Sequence, residues 1–169
     1  QWSETEQQWL GWERKRGKLE QLVDALATGR SAAFIDQGPL SQWAQGTRYV
    51  VTLDSDTLLP PGALRELVAV AAHPANQPRL DADGRRVIGG YGILQPHIAT
   101  QLPTHGMASV YHELFAGQSG IDPYAAATSE VYQDLTGEGS FTGKGLLNVD
   151  ACHRVLSGRL PTEQVLSHD

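Results

Sequence analysis

Cysteine is nearly absent from this 169-residue chain, long apolar runs are missing, and positive charge is in short supply. The lone Cys152 cannot close an internal disulfide, so the fold rests on packing and fits a reducing compartment. No apolar stretch approaches the roughly 20 residues that a membrane-spanning helix needs. Thirteen Lys and Arg against nineteen Asp and Glu leave a net charge of -6. That balance disfavours nucleic acid or an anionic membrane surface as a partner, because both want a basic face. Internal repeats and low-complexity tracts are also lacking. What is present, 40% hydrophobic and 19% charged residues, suits one soluble globular domain with a real core.

Both ends read as interruptions. The chain opens inside an aromatic, polar stretch, "QWSETEQQWLGW", and closes on "VLSHD", an apolar strand leading to a polar tip. Residues 1–169 are therefore expected to be the central part of something longer.

Between the ends, periodicity assigns the elements. Residues 12–28 carry Leu19, Leu22, Val23 and Leu26 at helical spacing, with Gly29 as the stop. The cluster Arg14, Lys15, Arg16 and Lys18 sits at the front of that helix, where cations oppose the dipole, so local helix stability did not choose it. "YVVTL" (49–53) reads as a buried strand. "PPGALRELVAVAAHP" reads as a helix with Leu64, Leu67, Val68 and Ala71 on one face and prolines at either end. "DADGRR" (81–86) is a turn, and 87–99 reads as strands broken by glycines. "MASVYHELFAG" and "PYAAATSEVYQDL" have helical spacing. "TGEGSFTGKGLLNVDA" is a glycine-rich loop leading to a strand or a helix start, and "TEQVLSHD" a short strand. Strands alternating with helices predict an α/β fold with a mixed, mostly parallel sheet flanked by helices.

Ligands of an open α/β sheet lie beyond the carboxyl ends of its strands, and "LDSD" puts Asp54 and Asp56 at such an end. Residues i and i+2 of a strand share a side, so two carboxylates can converge on one hard cation, Mg²⁺ or Mn²⁺. Three readings stay open for this pair. It can be a turn that caps the following helix. It can be the nucleophile motif of a haloacid-dehalogenase-like, metal-dependent phosphatase, although that motif wants Thr two residues after the second Asp and Thr57 follows at once. Or it can be the metal-binding DxD of a nucleotide-sugar glycosyltransferase. The histidines show no ligand spacing, and Trp2, Trp9 and Trp12 suit packing better than sugar stacking.

Context favours the third reading. Together, "GWERKRGKLEQL", "LDSD", "GYGILQP", "FAGQSGIDPY", "VYQDLTGEGSFTGKGLLNVDA" and "LSHD" resemble the glycosyltransferase domain of cyclic β-1,2-glucan synthases, in order and over essentially the whole chain. The wider relatives are processive family-2 glycosyltransferases of the GT-A fold, with a Lys segment of "K-A-G-x-L-N" type, a DxD, a Gly-rich acceptor loop and a final acidic base.

The resemblance implies a GT-A-like fold, present as an incomplete fragment. The N-terminal nucleotide-binding unit would precede it and a C-terminal membrane part would follow. It implies Lys18, Asp54 and Asp56 at the donor and Asp54 and Asp56 at the metal. Glu138, Gly139, Ser140 and Lys144 would form the acceptor loop, and Asp169 would be the base. The implied reaction is inverting transfer of glucose from UDP-glucose to a growing β-1,2-glucan chain. It would occur on the cytoplasmic face of a bacterial inner membrane, reached through parts outside this chain, and the fragment alone would be inactive. A metal-dependent phosphatase and a non-catalytic nucleotide-sugar-binding module are the alternatives.

Overall fold

A computed structural model describes residues 2–55, 57–96, 109–110, 135–136, 141 and 143–163. The chain divides into two units, Gln1–Leu94 with Gly145–Asp169, and Gln95–Lys144. Of the second unit, Val110 and residues 135–136 have helical backbone. Ser109, inside the helix expected over 107–117, is not helical. The rest of that helix and of the one expected over 123–135 lies outside the described residues, as does most of the terminal strand expected over 162–169.

The first unit is mixed α/β. Its chain order is β1 (Trp2–Ser3), β2 (Gln8–Trp9), α1 (Arg14–Thr28), β3 (Tyr49–Thr52), α2 (Ala63–Ala72), β4 (Arg79–Leu80), β5 (Val87–Gly89), β6 (Ile93–Leu94), β7 (Gly145–Asn148) and α3 (Val149–Leu156). Short 3-10 turns lie at Gly38–Ser41 and Pro74–Asn76.

The expectation of a mostly parallel sheet is corrected here. The main sheet has the order β3-β7-β6, and both of its pairings are antiparallel. β1–β2 and β4–β5 are antiparallel two-stranded ribbons. The alternation of strands and helices did report something real. β3 and β6 both oppose β7, so they run parallel to each other across the crossover that contains α2. β7 enters the slot between them from far along the chain and runs the other way, which local periodicity cannot signal. The open choice at 145–151 resolves as a strand followed at once by a helix. Asn148 makes that switch by accepting the Ala151 N–H on its side-chain oxygen at 3.0 Å.

β7 is the centre of the core. Successive strand residues face opposite ways, yet Leu146 and Leu147 are 2% and 5% exposed, so both faces of the strand are covered. Leu147 packs with Val23 of α1 and with Val149 and Cys152 of α3, flanked by Leu26, Val50 and Ile93. Burying each aliphatic side chain contributes about 1.5–3 kcal/mol. On the opposite face, Tyr49 donates its hydroxyl to the Ala71 carbonyl at the end of α2 (3.2 Å).

Polar contacts lock α1 onto α3. Asp24 meets His153 Nδ1 at 2.7 Å and accepts the Ser157 hydroxyl at 3.3 Å, and Glu20 accepts the Gly158 N–H at 3.3 Å. α1 ends where its sequence predicts: Gly29 is left-handed (φ 71°) and its N–H returns to the Ala25 carbonyl at 2.8 Å.

Candidate functional site

The site is built at the carboxyl end of β3. Thr52 is buried, pairs in register with Gly145 of β7, and donates its hydroxyl to the Gly145 carbonyl at 3.3 Å. The chain then leaves the sheet through a tight turn. Thr57 donates its N–H to the Asp54 carbonyl (3.0 Å), and its hydroxyl accepts the Asp54 N–H (3.2 Å). The backbone of Asp54 is therefore fixed from both sides without using its carboxylate.

That carboxylate is paired with a cation. Lys15, in the first turn of α1, places Nζ on Asp54 Oδ1, and the two side chains are only 27% and 25% exposed. An ion pair so far withdrawn from solvent is screened less than a surface pair and costs more to assemble.

Lys15 is held there by an unusual helix start. Glu13 and Arg14 both have left-handed backbone, φ 50° and 53°. Each costs about 1–2 kcal/mol for an L-residue with a long side chain. Arg14 is paired with Glu6, and Arg16 with both Glu13 and Glu20. Arg14 and Lys15 thus tie α1 to two other segments, at Glu6 and Asp54, and Arg16 braces the helix start itself, while Lys18 is exposed. Gly17 is sterically required. A Cβ there would overlap the Trp12 carbonyl and stand 2.7 Å from both Glu13 Cβ and Trp12 Cε3.

The expected site residues distribute as follows. Asp54 stands at the strand end, as expected. Lys18 is exposed one turn further along α1, and the cation at Asp54 is Lys15, which sequence reading passed over. Lys144 is half-buried and immediately precedes β7 in the chain. Asp56, Glu138, Gly139, Ser140 and Asp169 lie outside the described residues. The signal for Lys15 was available: Lys15-Arg16-Gly17-Lys18-Leu19 reads K-x-G-x-L, which sets Lys15, not Lys18, at the Lys of the "K-A-G-x-L-N" pattern.

Among the described residues, no group of three or more His, Cys, Asp or Glu is arranged to hold a metal ion. Asp54 supplies one carboxylate of the kind Mg²⁺ or Mn²⁺ takes, and such ions are commonly held by one or two protein carboxylates together with substrate phosphates. The donor chemistry fits on that basis. No helix among the described residues is long and apolar enough to cross a membrane.

A half-buried Lys–Asp pair stands at a strand end of the α/β unit, and the chain is homologous to a glucan-synthesising protein. Over 168 residues it is 45% identical to cyclic beta-(1,2)-glucan synthase NdvB of Rhizobium meliloti (strain 1021). The alignment takes in 99% of this chain but only 6% of that protein. The resemblance drawn from the motifs is borne out by this match. No family model matches the chain.

Proposed function

We propose that this chain is the donor-binding piece of a GT-A-type glucosyltransferase, which passes glucose from UDP-glucose to a growing β-1,2-glucan with inversion. The observation that carries the reading is the Lys15–Asp54 pair at the end of β3, in a chain 45% identical to a glucan synthase.

Asp54 and Asp56 would hold Mg²⁺ or Mn²⁺, which supplies charge neutralisation for the departing diphosphate. Lys15 is positioned to exchange its carboxylate partner for a phosphate oxygen, with Lys18 as a second cation of the same helix face. Glu138, Gly139, Ser140 and Lys144 would line the acceptor. Asp169 would accept the proton of the acceptor 2-hydroxyl as its oxygen bonds to C1 of glucose. The C1–O bond to the diphosphate breaks, its electron pair leaves with UDP, and the α-linked donor becomes a β-linked product. The reading places this segment in a longer protein at the cytoplasmic face of a bacterial inner membrane, anchored through parts outside this chain.

The test uses membranes carrying the full-length protein, supplied with UDP-glucose and Mn²⁺ or Mg²⁺. UDP release and β-1,2-glucan formation are followed for wild type, Asp56→Asn and Asp169→Asn. Metal-dependent synthesis lost in both variants supports the assigned roles, and undiminished synthesis overturns them. Release of phosphate from a simple phosphomonoester, without any requirement for UDP, would favour a phosphatase instead.

A further inference from the structure

Glu13 is the most deeply buried carboxylate among the paired acids, with its side chain 1% exposed. Removing a charge from water is costly, so the structure must hold it tightly. It does so at both oxygens. Oε1 accepts the backbone N–H of Glu163 at 2.7 Å, a contact 150 residues away in the chain, and Oε2 meets the Arg16 guanidinium. The Glu13 carbonyl meanwhile accepts the Gly17 N–H at 3.0 Å and so begins the helix. Both residues joined by the Glu13–Glu163 contact have left-handed backbone, φ 50° at Glu13 and 60° at Glu163. Glu163 is tied down further by the Thr5 hydroxyl on its own carboxylate at 2.6 Å.

These contacts converge on Glu13, two residues before Lys15. From them we infer that Glu13 is a positioning residue for Lys15. Its buried carboxylate straps the left-handed start of α1 to residue 163 and to Arg16, and so sets the direction from which the Lys15 ammonium reaches Asp54. Glu13 does not itself face the donor, and it acts only through Lys15. Arg16 completes the strap from the helix side, where Glu20 shares its guanidinium at 3.1 Å. Gly17 leaves the room that the strap needs. This inference rests on the donor-site reading above and adds to it the residue that aims the cation.

The experiment is UDP binding by calorimetry to the full-length protein in detergent, with thermal melting measured in parallel. The proteins are wild type, Glu13→Gln, Lys15→Met and the double variant. Glu13→Gln keeps an oxygen for the Glu163 N–H but loses the charge that holds Arg16. It is expected to weaken UDP binding by roughly tenfold or more, the size of a lost charge-assisted contact. In the Lys15→Met background, the same change is expected to leave UDP affinity where Lys15→Met has already put it. A loss of affinity that multiplies fully with that of Lys15→Met, or a lowered melting temperature with UDP affinity intact, overturns the inference. Absence of UDP binding by the wild type would instead overturn the donor-site reading itself.

Discussion

Lys15 Nζ and Asp54 Oδ1 form an ion pair that joins the first turn of α1 to the last residue before the β3 turn, 39 positions apart in the chain. Neither side chain is there for helix or strand stability. A lysine in the first turn of a helix opposes the dipole, and an aspartate just past a strand could as easily have capped the turn. Thr57 does the capping instead, which leaves the Asp54 carboxylate to the cation.

The first prediction separates the two lysines of α1. Lys15 is withdrawn from solvent against Asp54, whereas Lys18 is exposed. Lys15→Met is expected to weaken UDP binding by roughly tenfold or more, since a charge-assisted contact is worth about 1.5–3 kcal/mol. Lys18→Met should stay within about threefold of wild type, a shift below 1 kcal/mol. Equal losses in both, measured by titration with UDP, would show that the cluster acts as a diffuse field.

How much of this was legible beforehand follows from the range of the interactions. α1 could be read because Leu19, Leu22, Val23 and Leu26 repeat at the helical period and Gly29 ends them. The 81–86 turn could be read because Asp81 folds its carboxylate back onto the N–H groups of Arg85 and Arg86, at 2.7 and 3.2 Å. The slot of β7 could not be read. Thr52 and Gly145 are separated by 93 residues, and no local pattern says which way a distant strand will enter. The N-terminal ribbon was missed because two-residue strands carry no period. The place of Asp54 at a strand end was legible from its position after an apolar strand. Lys15 was legible only through the K-x-G-x-L spacing of residues 15–19; that its ammonium reaches Asp54 depends on how the helix begins. The left-handed Glu13 and Arg14 that set that beginning are conformations which neither residue type advertises.

Gly17 reverses a general rule. An interior helix Gly→Ala change ordinarily stabilises by up to about 1 kcal/mol. Here the added methyl meets the Trp12 carbonyl and the Glu13 Cβ, both held by the helix start. Gly17→Ala is expected to destabilise by about 1–3 kcal/mol, as overpacking does. Urea unfolding checks the sign, and a raised midpoint would mean that the helix start yields easily.

Asp24 is shared between His153 and Ser157 and so fastens α1 to α3. Both members of the Asp24–His153 pair are about a third exposed, so their coupling should be modest, about 0.5–1 kcal/mol. Asp24→Ala should cost more than His153→Ala, because it strands two partners. In the Asp24→Ala background, His153→Ala should cost little further. A double-mutant cycle by denaturant unfolding measures this, and strict additivity would remove the contact from the account of α1–α3 docking.

Cys152 supplies the pH dependence. It lies in the core beside Val23, Leu147 and Val149, and its Sγ is 3.7 Å from the Gly92 carbonyl. Burial pushes the thiol from 9.0 up to about 11, outweighing the Asn148 backbone contact that pulls the other way. Between those values the unfolded chain has released its thiol proton while the folded chain still holds it, so the folded state binds more protons. Stability from this group is therefore complete below pH 9 and falls as pH rises toward 11, by at most about 1.4 kcal/mol per unit. Cys152→Val, which keeps an apolar side chain in place, should flatten that part of the profile. The difference between the two proteins' urea midpoints at pH 8 and pH 10.5 isolates the thiol from every group that the two proteins share. The same burial predicts that folded Cys152 reacts with iodoacetamide far more slowly at pH 8 than it does in urea. Equal rates in the two conditions would mean that the α3 face of the core opens readily to solvent.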